Sequence, residues 1–291
     1  MKALDDYFSP AQTTLFHYTG IGALLRIVES KKLFASHAYY LNDSQEITHA
    51  SALLGDILTR YEGCVDSQET EFLGEFARWL QSIRQEQYGI FIFSLSEQQS
   101  LLSQWRSYTP HGKGVSIGFS TAFVNDLLAE TGFRLAKCIY DYNEQRELVS
   151  ALAEKMFESF RQRKNTLNLT NRPKSKQYFS FLDEFRGDLL QVFSIIKHHS
   201  FQEECEWRII SRYFPSFQDA TLHFREGASM LMPYIEIPFP HSQTNKKVFD
   251  KVVLGPSQNQ NLSMAALSSY LSNQNVCDLT LNCGIPYRKW Q

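Results

Sequence analysis

Ile90-Phe91-Ile92-Phe93-Ser94-Leu95, entered through Gly89, is a continuous aromatic and β-branched run. A strand with one wet face would alternate apolar with polar residues, so an unbroken run predicts a strand covered on both faces and central in a sheet. Upstream, Leu15-Phe16-His17-Tyr18-Thr19-Gly20 reads as another strand. Leu24, Leu25, Ile27 and Val28 then recur at helical spacing, with Thr19 able to cap the helix start and Lys31 and Lys32 favourable at its end. The extended segment Leu33–Ser36 leads through Tyr39 and Tyr40 to Leu41-Asn42-Asp43 and a helix carrying Ile47, Leu53, Leu54, Ile57 and Leu58. Asp43 followed by Glu46 is close to a capping box for that helix, which leaves Asn42 unexplained. Phe72, Leu73, Phe76, Leu80 and Ile83 mark a second helix.

Downstream, Gln104 to Tyr108 reads as a short helical turn, and His111-Gly112-Lys113-Gly114 turns the chain into a strand, Val115 to Phe119. A further strand is predicted around Leu135 to Tyr140. Residues 143–199 read as helical, with Phe179, Leu182, Phe185, Leu189, Val192, Phe193 and Ile196 forming a wide apolar stripe. The last third returns to strands at Glu206–Tyr213, Thr221–Arg225, Met230–Ile237 and Lys251–Leu254, with a helix near 261–272 and a final strand near 279–283. No repeat and no Gly, Ser or Pro linker divides the chain. The expectation is one α+β domain over residues 1–291, its sheet assembled from both ends of the chain, with a helical insertion at about 143–199.

Hydrophobic content of 43% with 14% aromatic is ample for a substantial core. The 29 basic and 31 acidic residues give a formal charge of −2, which excludes a strong global attraction to nucleic acid or anionic lipid and leaves only local patches. One such stretch, Arg161, Arg163, Lys164, Arg172, Lys174 and Lys176, has no acidic residue within it; it could contact a phosphate backbone or be a solvated loop. Five scattered cysteines without a C-x-x-C pair fit reduced thiols, and no zinc pattern is visible, so no metal is expected. No run approaches the ~20 apolar residues that would cross a bilayer, and a soluble cytoplasmic protein is expected.

Among chemistry-bearing residues, Glu204-Cys205-Glu206 is an E-x-E that, on a strand, would put both carboxylates on one face. In a cleft, one could stabilise positive charge developing on a sugar carbon while the other orients a nucleophile, as cleavage of an N-glycosidic bond requires. The plainer alternative is an edge strand whose acids pair with Arg208 or Lys197 at the surface. His17, beside Tyr18 and Thr19, could bind a ribose hydroxyl or phosphate, or be a buried histidine satisfied by a backbone carbonyl. Trp105 and Tyr108, three apart on a helix, could wall in a flat ring such as nicotinamide or simply pack in the core. Dinucleotide-fold, P-loop, zincin and serine-hydrolase motifs are absent from the sequence.

His17-Tyr18-Thr19, Leu41-Asn42-Asp43 with Glu46, Gln104-Trp105 with Tyr108, Gly114 to Phe119, Lys197-His198 with Phe201, Glu204-x-Glu206-Trp207-Arg208 and Pro286-Tyr287-Arg288 together resemble the bacterial family known as domain of unknown function 2971. More remotely, His17-x-Thr19 followed by Leu24, Ile27 and Leu33 looks like the opening of DarT-type ADP-ribosyltransferases. That second resemblance implies a split mixed or antiparallel sheet and NAD as substrate. It also implies Glu206 as catalytic carboxylate, with Glu204 beside it. By that resemblance NAD would be bound by His17, Tyr18 and Thr19; Asn42 and Arg208 are further candidates for binding it, and Trp105 or Tyr108 is assigned to the nicotinamide, since no clear counterpart of the middle hydroxyl motif is present. It further implies an ADP-ribosylated macromolecule as product, in the manner of a toxin or antiphage effector. An NAD glycohydrolase and a non-enzymatic nucleotide or nucleic-acid sensor are the alternatives.

Overall fold

The computed structural model describes residues 4–41, 46–61, 66–83, 89–110, 113–165, 174–216, 221–227, 230–243 and 247–285. Among the described residues, ten strands form one mixed, largely antiparallel sheet. They are β1 (Leu15–Gly20), β2 (Lys32–His37), β3 (Phe91–Ser96), β4 (Gly114–Phe119), β5 (Arg134–Lys137), β6 (Glu206–Ile210), β7 (His223–Glu226), β8 (Leu231–Pro238), β9 (Phe249–Leu254) and β10 (Thr280–Asn282). The order is β10-β9-β4-β1-β3-β2-β8-β7, with β6 also on β3 and β5 beyond β6. Only β9 and β10 pair in parallel among the named strands.

The predicted central run is β3, and it has three neighbours. One edge pairs with β6 along its length, from Ile92↔Ile210 to Ser96↔Glu206. The other edge is shared: β2 meets it at Phe91 and Ile92, and β1 meets it only at Ser96. Two strands leaving opposite ends of one edge must diverge, so the sheet splits there, opposite Phe93 to Leu95. The linking helix α1 (Ile21–Ser30) carries the chain from β1 to β2 across this gap.

The remaining helices are α2 (Glu46–Leu58), α3 (Ser67–Ile83), α4 (Leu102–Tyr108), α5 (Thr121–Thr131), α6 (Tyr142–Arg163), α7 (Lys174–Asp183), α8 (Arg186–Phe193) and α9 (Gln260–Asn273). Strand alternation sorts the sheet's apolar residues into two cores. Ile92, Ala136 and Ile210 join a core with α2, α3, α6, α7 and α8, and Phe91, Phe93, Leu135 and Ile209 join one with α1, α5 and α9. The expected insertion is thus three helices that share a layer with α2 and α3. Phe72 of α3 and Phe160 of α6 stack at its centre, ring centroids 3.9 Å apart and nearly parallel. Trp79 donates its indole N–H to Asp183 at 2.6 Å, tying α3 to the end of α7.

Several local expectations change. Gly20, not Thr19, is the residue before α1, and it makes no side-chain cap. Lys31 ends α1 in the left-handed region at φ 52°, while Lys32 already belongs to β2, where it pairs with Glu236 at 2.5 Å. The Asp43–Glu46 capping box lies outside the described side chains. The four described cysteines form no disulfide, and no described helix is long and apolar enough to cross a membrane.

Phe72 is fully buried in the helical layer. Phe72→Ala is expected to cost about 3–5 kcal/mol through lost transfer energy and the cavity left behind. Chemical denaturation would show this as a lower midpoint, and an unchanged midpoint would contradict the packing.

Candidate functional site

The carboxylate pair is built differently from an alternating strand. Glu204 ends a 3-10 turn over His199–Glu204, and Cys205 is left-handed at φ 44°, ψ 48°, so β6 begins only at Glu206. A non-glycine residue in this conformation costs free energy and is kept where surrounding contacts fix it. Here the Cys205 carbonyl accepts from the Glu97 N–H at 3.1 Å, and the Ser96 hydroxyl donates to the Glu204 carbonyl at 2.7 Å. The two carboxylates still converge, because both reach one ammonium. Lys197 Nζ is 2.6 Å from Glu206 Oε2 and also donates to Glu204 Oε2.

Lys197 is positioned by the segment that enters α6. Its N–H donates to the Ile139 carbonyl at 3.0 Å, and Gln145 Nε2 donates to the carbonyls of both Ile139 and Lys197 at 2.8 Å. From β6 itself, Arg208 grips Glu206 with two parallel bonds, Nε to Oε1 and Nη2 to Oε2, each 2.9 Å. Its Nη1 donates to the Ser194 carbonyl. Tyr108 donates its hydroxyl to Glu204 Oε1 at 3.1 Å. All four charged residues are buried, two positive and two negative. The surface pairing considered from sequence is therefore an interior cluster on a strand flanked by β3 and β5. Burial alone would raise the Glu206 pKa, but the charges of Arg208 and Lys197 outweigh it and bring the carboxyl down to about 2. Burial would equally lower the Lys197 pKa, and Glu206 with Glu204 instead raises it. Burial, with Glu204 close by, raises the Tyr108 phenol.

Beside the cluster a cleft of about 350 Å³ opens at the split in the sheet. Register puts Glu206, Arg208, Ser94 and Ser36 on one face of the sheet, and His17 and Thr19 of β1 on the other. The cleft is lined from both sides because the strands between them diverge. His17 stacks on Phe93 with centroids 4.3 Å apart. Its Nδ1 lies 2.9 Å from the Ser94 carbonyl on the split edge; a carbonyl can only accept, so Nδ1 carries the hydrogen and Nε2 is left as an acceptor. Burial lowers the His17 pKa to about 4, with the nearby Arg225 adding to the effect against the Ser94 bond. The histidine thus bonds a backbone carbonyl, as the plainer expectation had it, and also lines the cleft.

Residues 104–209 match the family described as "Protein of unknown function (DUF2971)". The match covers less than half of the chain. No curated protein and no solved structure matches the chain. The DUF2971 span runs from α4 to β6 and so supplies Tyr108, Lys197, Glu204, Glu206 and Arg208, whereas His17 comes from outside it.

Of the residues singled out from sequence, His17, Thr19, Tyr108, Glu206 and Arg208 line the cleft, and Glu204 sits behind it, tied to Lys197 and Tyr108. Tyr18 and Trp105 are not brought there. They meet edge-on, 4.8 Å apart, in a small core with Phe16 and Val253, and the Tyr18 hydroxyl donates to the Gln98 carbonyl at 2.6 Å. Asn42 lies outside the described residues. Three cations of the basic stretch are paired with acids from elsewhere in the chain. Arg161 pairs with Glu69 at 3.1 Å, Arg163 with Glu184 at 2.7 Å, and Lys164 with Asp66 and Glu69 at 2.5 and 3.0 Å. Arg172 and the Lys174 side chain lie outside the described part, and Lys176 is exposed. Sequence reasoning missed Arg26, Ser36 and Arg225, which also line the cleft. The only signal for them was Arg225 alternating with Phe224 and Glu226 on a short strand.

The His17 imidazole is expected to remain neutral down to about pH 4, against an ordinary value of 6.5. The unfolded chain takes up its proton first, so this group costs stability as pH falls below 6.5, until the folded form titrates near 4. Nuclear magnetic resonance titration, with His17→Gln to assign the signal, checks this, and a midpoint near 6.5 would contradict the desolvation of the half-buried ring. For Glu206 the folded pKa is depressed, so its stabilisation is present above the ordinary 4.5 and is lost as pH falls toward about 2. Glu206→Gln should flatten the acid limb of a stability–pH curve in that window.

Proposed function

We propose that the protein uses NAD as a substrate and transfers its ADP-ribose unit to a macromolecule. The observation that carries the reading is the cleft at the split in the sheet, where a neutral histidine acceptor and a buried, ionised carboxylate line one space. In the proposed reaction the bond between ribose C1′ and the nicotinamide nitrogen breaks, and the electron pair leaves with nicotinamide. A nucleophile on the target then bonds to C1′ and gives up its proton. His17 Nε2 would accept from a ribose hydroxyl, and the Glu206 carboxylate would face the positive charge that develops on the sugar. The bidentate grip of Arg208 would fix the Glu206 rotamer before substrate arrives. Tyr108, about one-third exposed at the rim, offers a ring beside the nicotinamide.

One observation favours a second reading. Glu206 is already met by an ammonium and a guanidinium, which quench much of the charge that a cationic transition state would use. A cleft arranged in this way could bind a nucleotide without turning it over, as a sensor. Water in place of the target nucleophile would make the same site an NAD glycohydrolase.

Wild-type protein and Glu206→Gln, incubated with labelled NAD and a bacterial lysate, separate these readings. Transfer predicts nicotinamide release with label on protein, DNA or RNA, reduced at least about a hundredfold in the variant. Release without label indicates hydrolysis, and binding without release indicates a sensor. Full turnover by a folded Glu206→Gln protein would end the assignment of Glu206.

A further inference from the structure

We propose that Arg225 and Arg26 form an anion subsite at the far side of the cleft from Glu206, and that this subsite binds the phosphate groups of a nucleotide. Arg225 is on β7, opposite Met232 of β8, and its Nη2 donates to the Ser36 hydroxyl at 2.7 Å. Arg26 comes from α1, with its guanidinium carbon 5.7 Å from the Phe34 ring centroid. Both arginines line the cleft, arriving from different elements.

The two guanidiniums differ from the molecule's other cleft cations. Lys197 and Arg208 are each matched by carboxylates, yet among the described residues no carboxylate pairs with Arg225 or Arg26. Burial and the like charge of Arg26 both disfavour the charged form of Arg225. An arginine stays protonated even so, and it therefore stands partly desolvated with no counter-ion among the described residues. A neutral hydroxyl partner in Ser36 satisfies one N–H and leaves the charge unbalanced. Two forked cations converging on an open space suit a diphosphate, whose several oxygens can accept from both, better than a single carboxylate.

The inference rests on reading this cleft as a nucleotide site but not on transfer chemistry. ADP and adenosine, which share a base and ribose and differ in phosphate, test it by calorimetry on wild type, Arg225→Gln and Arg26→Gln. ADP is expected to bind about ten- to a hundredfold more tightly than adenosine, and each substitution should remove most of that preference without changing adenosine affinity. Without ligand, Arg225→Gln should melt at or above the wild-type temperature, because an uncompensated charge has gone. Equal affinity for ADP and adenosine, absence of ADP binding, or an ADP preference that survives both substitutions would overturn the subsite. If Arg225→Gln fails to fold, the exposed Arg26→Gln decides. Arg225-dependent ADP binding with no nicotinamide release retires the transferase reading alone. NAD turnover with KM unchanged in Arg225→Gln retires the subsite alone.

Discussion

The rest of the site depends on one buried ammonium. Lys197 is where Glu204 and Glu206 meet, and without it two carboxylates would share a dry space with only Arg208 to balance them. Taking such charges out of water costs several kcal/mol for each ion, so the arrangement persists only because charges and hydrogen bonds are matched. The match ties distant parts of the chain together. Lys197 is presented by the segment after α8, Glu204 by a 3-10 turn, Glu206 and Arg208 by β6, and Tyr108 by α4. A slip of β6 by one residue would turn Glu206 and Arg208 to the other face and leave Lys197 facing Trp207 and Ile209. The cluster thus specifies register between the helical layer and the sheet, whatever its net contribution to stability.

Much of the fold was legible because its strands obey simple patterns. The run at β3 announced a strand covered on both faces, and the two cores explain why it does not alternate. The site was less legible, for three physical reasons. His17, Tyr18 and Thr19 look like one motif, yet neighbours on a strand point to opposite faces, so Tyr18 goes to a small core with Trp105 while His17 and Thr19 reach the cleft. The positive φ at Cys205 leaves no mark on composition, so an E-x-E that converges through a kink reads as one that converges by alternation. The acids that neutralise Arg161 and Lys164 lie on or just before α3, far away in sequence, and a local charge count cannot see them.

The split in the sheet follows from the same economy of neighbours. β3 gives one edge wholly to β6, so β1 and β2 must divide the other. The Ser94 carbonyl, between the points where β1 and β2 attach, accepts instead from the His17 ring. A carbonyl at such a gap needs a donor, and satisfying it with an imidazole fixes the tautomer and turns the second nitrogen into an acceptor. The acceptor is therefore a consequence of how the backbone is completed.

The cleft that results is electrically uneven. Beside Glu206 the cluster is balanced, with two cations against two anions; beside Arg225 and Arg26 among the described residues positive charge is unmatched. His17 lies within the influence of Arg225, whose charge contributes to keeping the imidazole neutral. An anion seated against Arg225 would cancel that contribution and let the His17 pKa rise, although burial, the larger cause, would still hold it below its ordinary value. Occupation of the positive end would then be felt at the acceptor, so the two halves of the cleft are coupled through charge alone, with no movement of the backbone required.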